Sequence, residues 1–288
     1  MAGLKAQKPL HLYKVEAKQL KNQGHLGHQY MIFEKYDGWY GYYEGGKIYS
    51  FANREIPSVR WLAEKINDRL GDRINGRLIF EILISGVPHF HTMNGILNRK
   101  SVQASDAYLM VHDFLEDGAD HRALDRYGFA RNLVHMLNLD EVHLAPVTTV
   151  TDSVDVWRGI CDAIWERGGE GIIAKKASAT YVWGGRDESM LKIKCECTFE
   201  GVVVGFIEGK SGSKYENTLG ALQVRTKDGL IHTVSGMSDT ERDAWYKQPS
   251  NIVGCVVECL AMQKLPDGNY REPRYKAIRH DKSVTEID

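Results

Sequence analysis

No apolar run in this chain comes near the roughly 18 residues that a helical bilayer span needs, and mean hydropathy is −0.38, so a membrane protein is not expected. The opening residues, MAGLKAQKPLHLYKVEAKQLKNQGHLG, also lack the continuous apolar stretch of roughly 7 to 15 residues found in a secretory signal. A cytoplasmic location follows as the expectation. Cysteine is sparse. Five residues, an odd number with no CxxC pair, offer neither a disulfide framework nor a zinc ribbon, and a reducing compartment fits. An excess of either charge is missing too: 37 Lys+Arg against 38 Asp+Glu leave −1, so bulk composition signals no polyanionic partner. A neutral chain can still concentrate cations in one groove. Internal repeats and low-complexity tracts are absent.

What is present is a globular composition. With 288 residues and 43% hydrophobic content there is material for one large or two modest domains. Tyr30–Lys35, Gly38–Tyr43, Lys47–Ala52, Arg77–Ile84 and Tyr108–Leu115 read as strands, the second and third joined as a hairpin through Glu44-Gly45-Gly46. Helical spacing marks three segments between and after them. Ser58 is placed to cap one that buries Leu62, Ile66 and Leu70; Tyr127, Ala130, Val134 and Leu137 mark another; Val154, Trp157, Cys161 and Ile164 mark a third, stopped by Gly168-Gly169. Beyond about residue 197 the texture turns to strands and turns, with Asp228-Gly229 as a hairpin turn and Ser238 with Glu241 as a capping box opening one helix to about Gln248. The fold class expected is α+β: an antiparallel-sheet domain over 1–196, then a small Greek-key β-barrel of the oligonucleotide/oligosaccharide-binding (OB) type over 197–288.

Several local patterns can carry chemistry, each with a plainer reading beside it. Lys35-Tyr36-Asp37-Gly38 sits where a strand gives way to a turn; it fits a lysine held rigidly at a cleft edge, or an ordinary Asx-type turn. Covalent use of such a lysine needs nearby cations or burial to favour the neutral amine. Glu170-Gly171 opens the apolar run Ile172-Ile173-Ala174, as a strand entrance or as a hard oxygen ligand for Mg²⁺. Lys192 and Lys194, two apart, project from one face of a strand, either onto an anion or into solvent. Glu81 and His112-Asp113 interrupt apolar strands, where an inward polar group is costly unless paired or functional. Arg271–Lys282 is rich in Arg and Lys and reads as a solvated surface segment unless an anion binds it. Gly205–Ser211 imitates a phosphate-binding loop but has one residue too few between its glycines and a polar stretch where a helix should open; it is read as a barrel loop.

The order and spacing of these features resemble the ATP-dependent DNA ligases of the covalent nucleotidyltransferase superfamily. The match runs through Lys35-x-Asp37-Gly38, Arg54 in FANREIP, Glu81, the His112-Asp113 strand, Glu170-Gly171, Lys192-x-Lys194 and the closing Arg271-x-Pro273 with Arg279-x-Asp281-Lys282, and so covers nearly the whole chain. The resemblance implies an adenylation domain joined to an OB barrel, and a reaction in which Lys35 takes AMP from ATP, AMP passes to the 5′-phosphate of a nick in duplex DNA, and the 3′-hydroxyl displaces it. It further implies ATP and Mg²⁺ (or Mn²⁺) as cofactors, with Glu170 and Glu81 near the metal. Glu81 would reach the ribose, His112 the adenine, Lys192 and Lys194 the phosphates, Arg54 the nick phosphate, and Arg279 with Lys282 the pyrophosphate. Asp37 would orient the site. Two positions depart from the pattern: Tyr40 stands where arginine is common, and His112 where a larger aromatic ring stacks on the base. The NAD-dependent ligases are longer and carry a cysteine zinc site, so ATP is expected. The chain looks like a minimal, bacteriophage-like ligase without an extra N-terminal DNA-binding domain, acting as a monomer in a bacterial or phage-infected cytosol. An RNA-joining or RNA-capping relative is the alternative within the superfamily, and a non-catalytic OB-fold nucleic-acid-binding protein the alternative outside it.

Overall fold

A computed structural model describes residues 3–12, 15, 24–87, 90–194, 196–265 and 267–287. The chain divides into two compact units, Met1–Lys194 and Cys195–Asp288. Among the described residues no helix is long and apolar enough to cross a membrane.

The first unit is built on two five-stranded sheets. One has the order β1 (Leu10–His11), β10 (Met190–Lys194), β9 (Gly171–Lys176), β2 (His25–Glu34), β8 (Val147–Ser153). The other runs β4 (Lys47–Ser50), β3 (Trp39–Glu44), β5 (Gly76–Ile84), β6 (Ala107–Glu116), β7 (Val142–Leu144). The β1–β10 and β6–β7 pairs are parallel and the remaining ladders antiparallel. Residues 35–38 carry the chain from β2 of the first sheet to β3 of the second. The Lys-Tyr-Asp-Gly motif therefore lies where the two sheets exchange the chain.

Helices cover the second sheet because their apolar stripes match its inner face. Leu62, Ile66 and Leu70 of α1 (Arg60–Leu70) and Ala130 and Leu137 of α3 (Ala123–Leu137) share one buried core with Leu78, Phe80, Leu109 and Val111. Full burial of a side chain such as Leu62 contributes about 1.5–3 kcal/mol. On the first sheet, α4 (Val154–Glu166) buries Val154, Trp157, Cys161 and Ile164, with Trp157 edge-on to Tyr30 at 5.0 Å. A further helix, α2 (Phe90–Leu97), lies between β5 and β6. The expected capping by Ser58 is not what forms. Ser58 sits inside a short 3-10 turn started by Pro57, and its hydroxyl donates to the Leu97 carbonyl at 2.8 Å, so α1 begins at Arg60 with no side-chain cap.

The second unit has five main strands in the order β13 (Ile231–Val234), β12 (Leu219–Arg225), β11 (Cys197–Glu208), β14 (Val256–Ala261), β17 (Arg274–Ile278). The hairpin β15 (Gln263–Lys264)–β16 (Tyr270–Arg271) lies between β14 and β17, and α5 (Asp239–Lys247) between β13 and β14. Both arms of the Ser238/Glu241 capping box are made at the start of α5. Gly205–Ser211 leaves β11 into turns rather than a helix. The sheet is not closed by a continuous ladder among the described residues. Its two edges meet at one parallel bridge, Ser235 to Arg274, because the chain turns away at Gly236 (φ 97°) to enter α5.

Candidate active site

Lys35 leaves the end of β2 with its backbone N–H donating to the Gly171 carbonyl at 2.8 Å, which ties the motif to the start of β9. Its Nζ lies 2.5 Å from Glu170 Oε2, while Lys194 Nζ lies 3.1 Å from the other oxygen, Oε1. Glu170 is thus a buried carboxylate held between two ammonium groups. The glycines fix this geometry. Gly171 has φ 140°, and a Cβ there would stand 2.1 Å from the Ile193 carbonyl of β10, so only glycine lets β9 start flush against the strand that carries Lys194. At Gly38 a Cβ would fall 2.8 Å from the Glu81 Cβ, so the glycine makes room for that acid.

Lys192 and Lys194 stand two apart on β10, opposite Ile173 and Gly171 of β9, as the alternation requires. Burial, reinforced by Lys194, Lys35 and Arg186, pulls Lys192 down to about 8. Glu81 faces Tyr40 across the β3–β5 ladder. Burial raises its carboxyl to about 7 against the pull of Lys35, with Glu170 and Asp37 adding like-charge repulsion. Lys35, Asp37, Glu81, Glu170, Lys192 and Lys194, all singled out in the sequence, therefore form one electrostatic cluster.

A cavity of about 200 Å³ opens beside Lys35, lined by apolar Phe33, Ile173 and Met190 and by Glu81 and His112. His112 occupies a bulge in β6, the residue left over where Ile79 pairs Asp113 and Phe80 pairs Val111. Burial and Lys175 hold His112 far below its ordinary value, at about 3. Burial alone would raise Asp113, but Lys175 at 3.1 Å and Arg126 at 2.9 Å keep it down at about 2. A second groove shares Lys35, Tyr40 and Glu81 with the first and adds Phe51, Arg54 and Lys100. Arg54 lies on the turn after β4, where its backbone N–H donates to the Ser50 hydroxyl. Tyr40 lines both cavities. Its hydroxyl is buried beside Tyr181, and burial, with Tyr181 adding to it, pushes it well above its ordinary value.

Arg279 and Lys282 lie in the second unit. Both pair with the buried Glu200 of β11, Lys282 at 2.7 Å, and Arg279 also holds Asp281 at 2.7 Å. These cations are already neutralised by their own unit. Four charged residues of the sites escape sequence reading: Lys100, Lys175, Arg126 and Arg186. Lys175 sits on an apolar strand that alternation allowed to face either way, Arg126 belongs to a helix face read only for its apolar members, and Arg186 lies on a polar loop.

The carboxylates suit a divalent cation only in part. No three His, Cys, Asp or Glu groups stand together as a ready cation site among the described residues. Glu170, Glu81 and Asp37 nonetheless offer hard oxygens around Lys35, which matches the way Mg²⁺ is usually held, through one or two carboxylates plus substrate phosphates.

No protein-family model matches the chain, and no curated protein does. Solved structures do. The chain is similar to a Lig E DNA ligase described as binding DNA with a minimal scaffold, with TM-score 0.74 and 21% identity over 97% of this chain and 100% of that one. It is similar to the protein Pmar-Lig_Pre, with TM-score 0.77 and 20% identity over 96% of this chain and 68% of that one. The ATP-dependent DNA ligase of bacteriophage T7, solved with ATP, matches with TM-score 0.54 and 18% identity over 96% and 98%. The fold is that of the minimal ATP-dependent DNA ligases.

Proposed function

We propose that this protein is an ATP-dependent DNA ligase that seals nicks bearing a 3′-hydroxyl and a 5′-phosphate. The observation that carries this reading is Lys35 set between the Glu170–Lys194 pair and the apolar cavity, on a fold shared with DNA ligases. In the first step Lys35 Nζ, having lost its proton, attacks the α-phosphorus of ATP; the N–P bond forms as the bond to pyrophosphate breaks. The 5′-phosphate of the nick then displaces Lys35 to give a DNA-adenylate, and the 3′-hydroxyl displaces AMP to form the phosphodiester. Phosphoryl transfer relies on positioning and on neutralising charge at the non-bridging oxygens, a task that suits Lys192 and Lys194. Glu170 holds Lys35 in place, and its carboxylate is the base placed to take the proton that the Lys35 ammonium gives up. A bound Mg²⁺, held by Glu170 and Glu81 with the phosphates, would supply further charge neutralisation.

The cavity suits the nucleoside, with His112 against the base and Glu81 toward the ribose, and Asp37 orients the turn. The groove with Arg54 and Lys100 suits the nick phosphate. We read residues 1–196 as the adenylation domain and 197–288 as an OB-type barrel; the parallel Ser235–Arg274 bridge between its third and fifth long strands supports that topology. For Arg279 and Lys282 to hold the leaving pyrophosphate, they must exchange Glu200 and Asp281 for it. The protein is read as a cytosolic monomer. The test is direct: purified protein, Mg²⁺ and ATP are mixed with a 5′-labelled nicked duplex. Sealing that requires ATP is expected, and no sealing, or sealing only of nicked RNA, would overturn the reading.

A further inference from the structure

Lys175 is buried beneath the nucleoside cavity, and its ammonium has three protons to give. Three acceptors surround it: the His112 carbonyl at 2.8 Å, Asp113 Oδ2 at 3.1 Å and His112 Nδ1 at 3.1 Å. With each proton assigned, Nδ1 has to accept. The imidazole is then neutral and carries its own proton on Nε2. Asp113 is in turn gripped by Arg126 through bonds of 2.9 and 3.3 Å, so Arg126, Asp113, Lys175 and His112 form one fixed chain of contacts. The bulge in β6 turns His112 to the cavity wall. No described residue bonds to its Nε2, and the cavity it lines combines apolar Phe33, Ile173 and Met190 with the polar Lys35, Tyr40 and Glu81.

We infer that His112 is a specificity-determining donor: Lys175 fixes its neutral Nε2–H form, and that N–H bonds to an acceptor on the bound nucleoside, a purine ring nitrogen or a ribose oxygen. The inference rests on the nucleotide reading above. A carbocyclic aromatic ring at this position would stack but donate nothing, so here the wall both stacks and reads. An analogue lacking the acceptor leaves the N–H unpaired in a largely apolar cavity, which costs on the order of tenfold in affinity.

Two measurements on the full chain test it. Nitrogen-15 spectra, with His112 assigned by its loss in His112→Phe, should show Nδ1 unprotonated and no titration between about pH 5.5 and 8.5; an Nδ1–H tautomer or an imidazolium there overturns the inference. Calorimetric Kd values, which need no turnover, are then compared for ATP, 7-deaza-ATP, 3-deaza-ATP and 2′-deoxy-ATP. One analogue should bind about tenfold more weakly than ATP to the wild type and no more weakly to His112→Phe, and its missing atom names the acceptor. Equal binding of all four to the wild type, or the same discrimination in both proteins, overturns the inference while ATP binding itself stands. Failure of the wild type to bind ATP at all overturns the nucleotide reading, and the inference with it.

Discussion

Lys192 is the residue at which the site's electrostatics reach a measurable pH. Its ordinary value lies near 10.4, and burial beside Lys194 and Lys35 brings it to about 8. The charged form is present below that value and lost above it, so the charge neutralisation proposed for it at the ATP phosphates should fade as pH rises through about 8. We expect kcat/KM for lysyl-AMP formation, which reports the free enzyme, to lose this contribution on the alkaline side. Lys192→Arg, whose guanidinium stays charged, should move the falling limb to higher pH, and superimposable profiles would remove Lys192 from the phosphate site. Glu170 belongs to the same scale. Its two oxygens hold Lys35 and Lys194, so Glu170→Gln should cost on the order of 10²–10³ in rate in a protein that still folds. Near-normal turnover in that variant would return Glu170 to the role of an ordinary strand start.

At the scale of elements, the C-terminal segment after β17 pairs with Glu200 and Asp281, anions that the pyrophosphate of ATP must replace if the proposed role holds. Arg279→Ala with Lys282→Ala should block lysyl-AMP formation and leave much of the sealing of a pre-adenylated nick, because pyrophosphate has left by then. Equal losses in both assays would sink the pyrophosphate assignment, and no loss in either would make the segment a solvated tail. The elements also separate what the sequence revealed from what it hid. The β3–β4 hairpin, β5, β6 and the helices α3 and α4 were legible because their apolar periodicity coincides with buried positions, and α5 through its capping box. Strand β8, Val147–Ser153, was not: its sequence VTTVTDS is mostly polar and half-buried, and the partner β2 gives it structure through backbone bonds. Strands β1 and β7 are short parallel additions whose position depends on residues far away in sequence. Ser58 misled for a related reason, since a serine before a helical stripe looks the same whether it caps the helix or bonds a distant carbonyl. The cluster around Lys35 was legible by its residue types. Asp113 stood out in its apolar strand, but its partners Lys175 and Arg126 were hidden because side chains on separate elements pair only once folded.

For the whole molecule, a net charge of −1 says nothing about where the cations stand, and one groove gathers Lys35, Arg54 and Lys100 alongside Glu55 and Glu81. Binding of a nicked duplex should weaken linearly in log Kd against log salt, with a slope set by the number of phosphates contacted. Arg54→Ala should lower the magnitude of that slope by about 1, and an unchanged slope would take Arg54 off the DNA. The central claim remains covalent chemistry at Lys35, and intact-mass analysis of the full chain after incubation with ATP and Mg²⁺ tests it most directly. The account expects a single added AMP, mapped to Lys35, released on addition of a nicked duplex and absent from Lys35→Ala. An unmodified wild-type mass, or an AMP adduct that persists undiminished in Lys35→Ala, would contradict it.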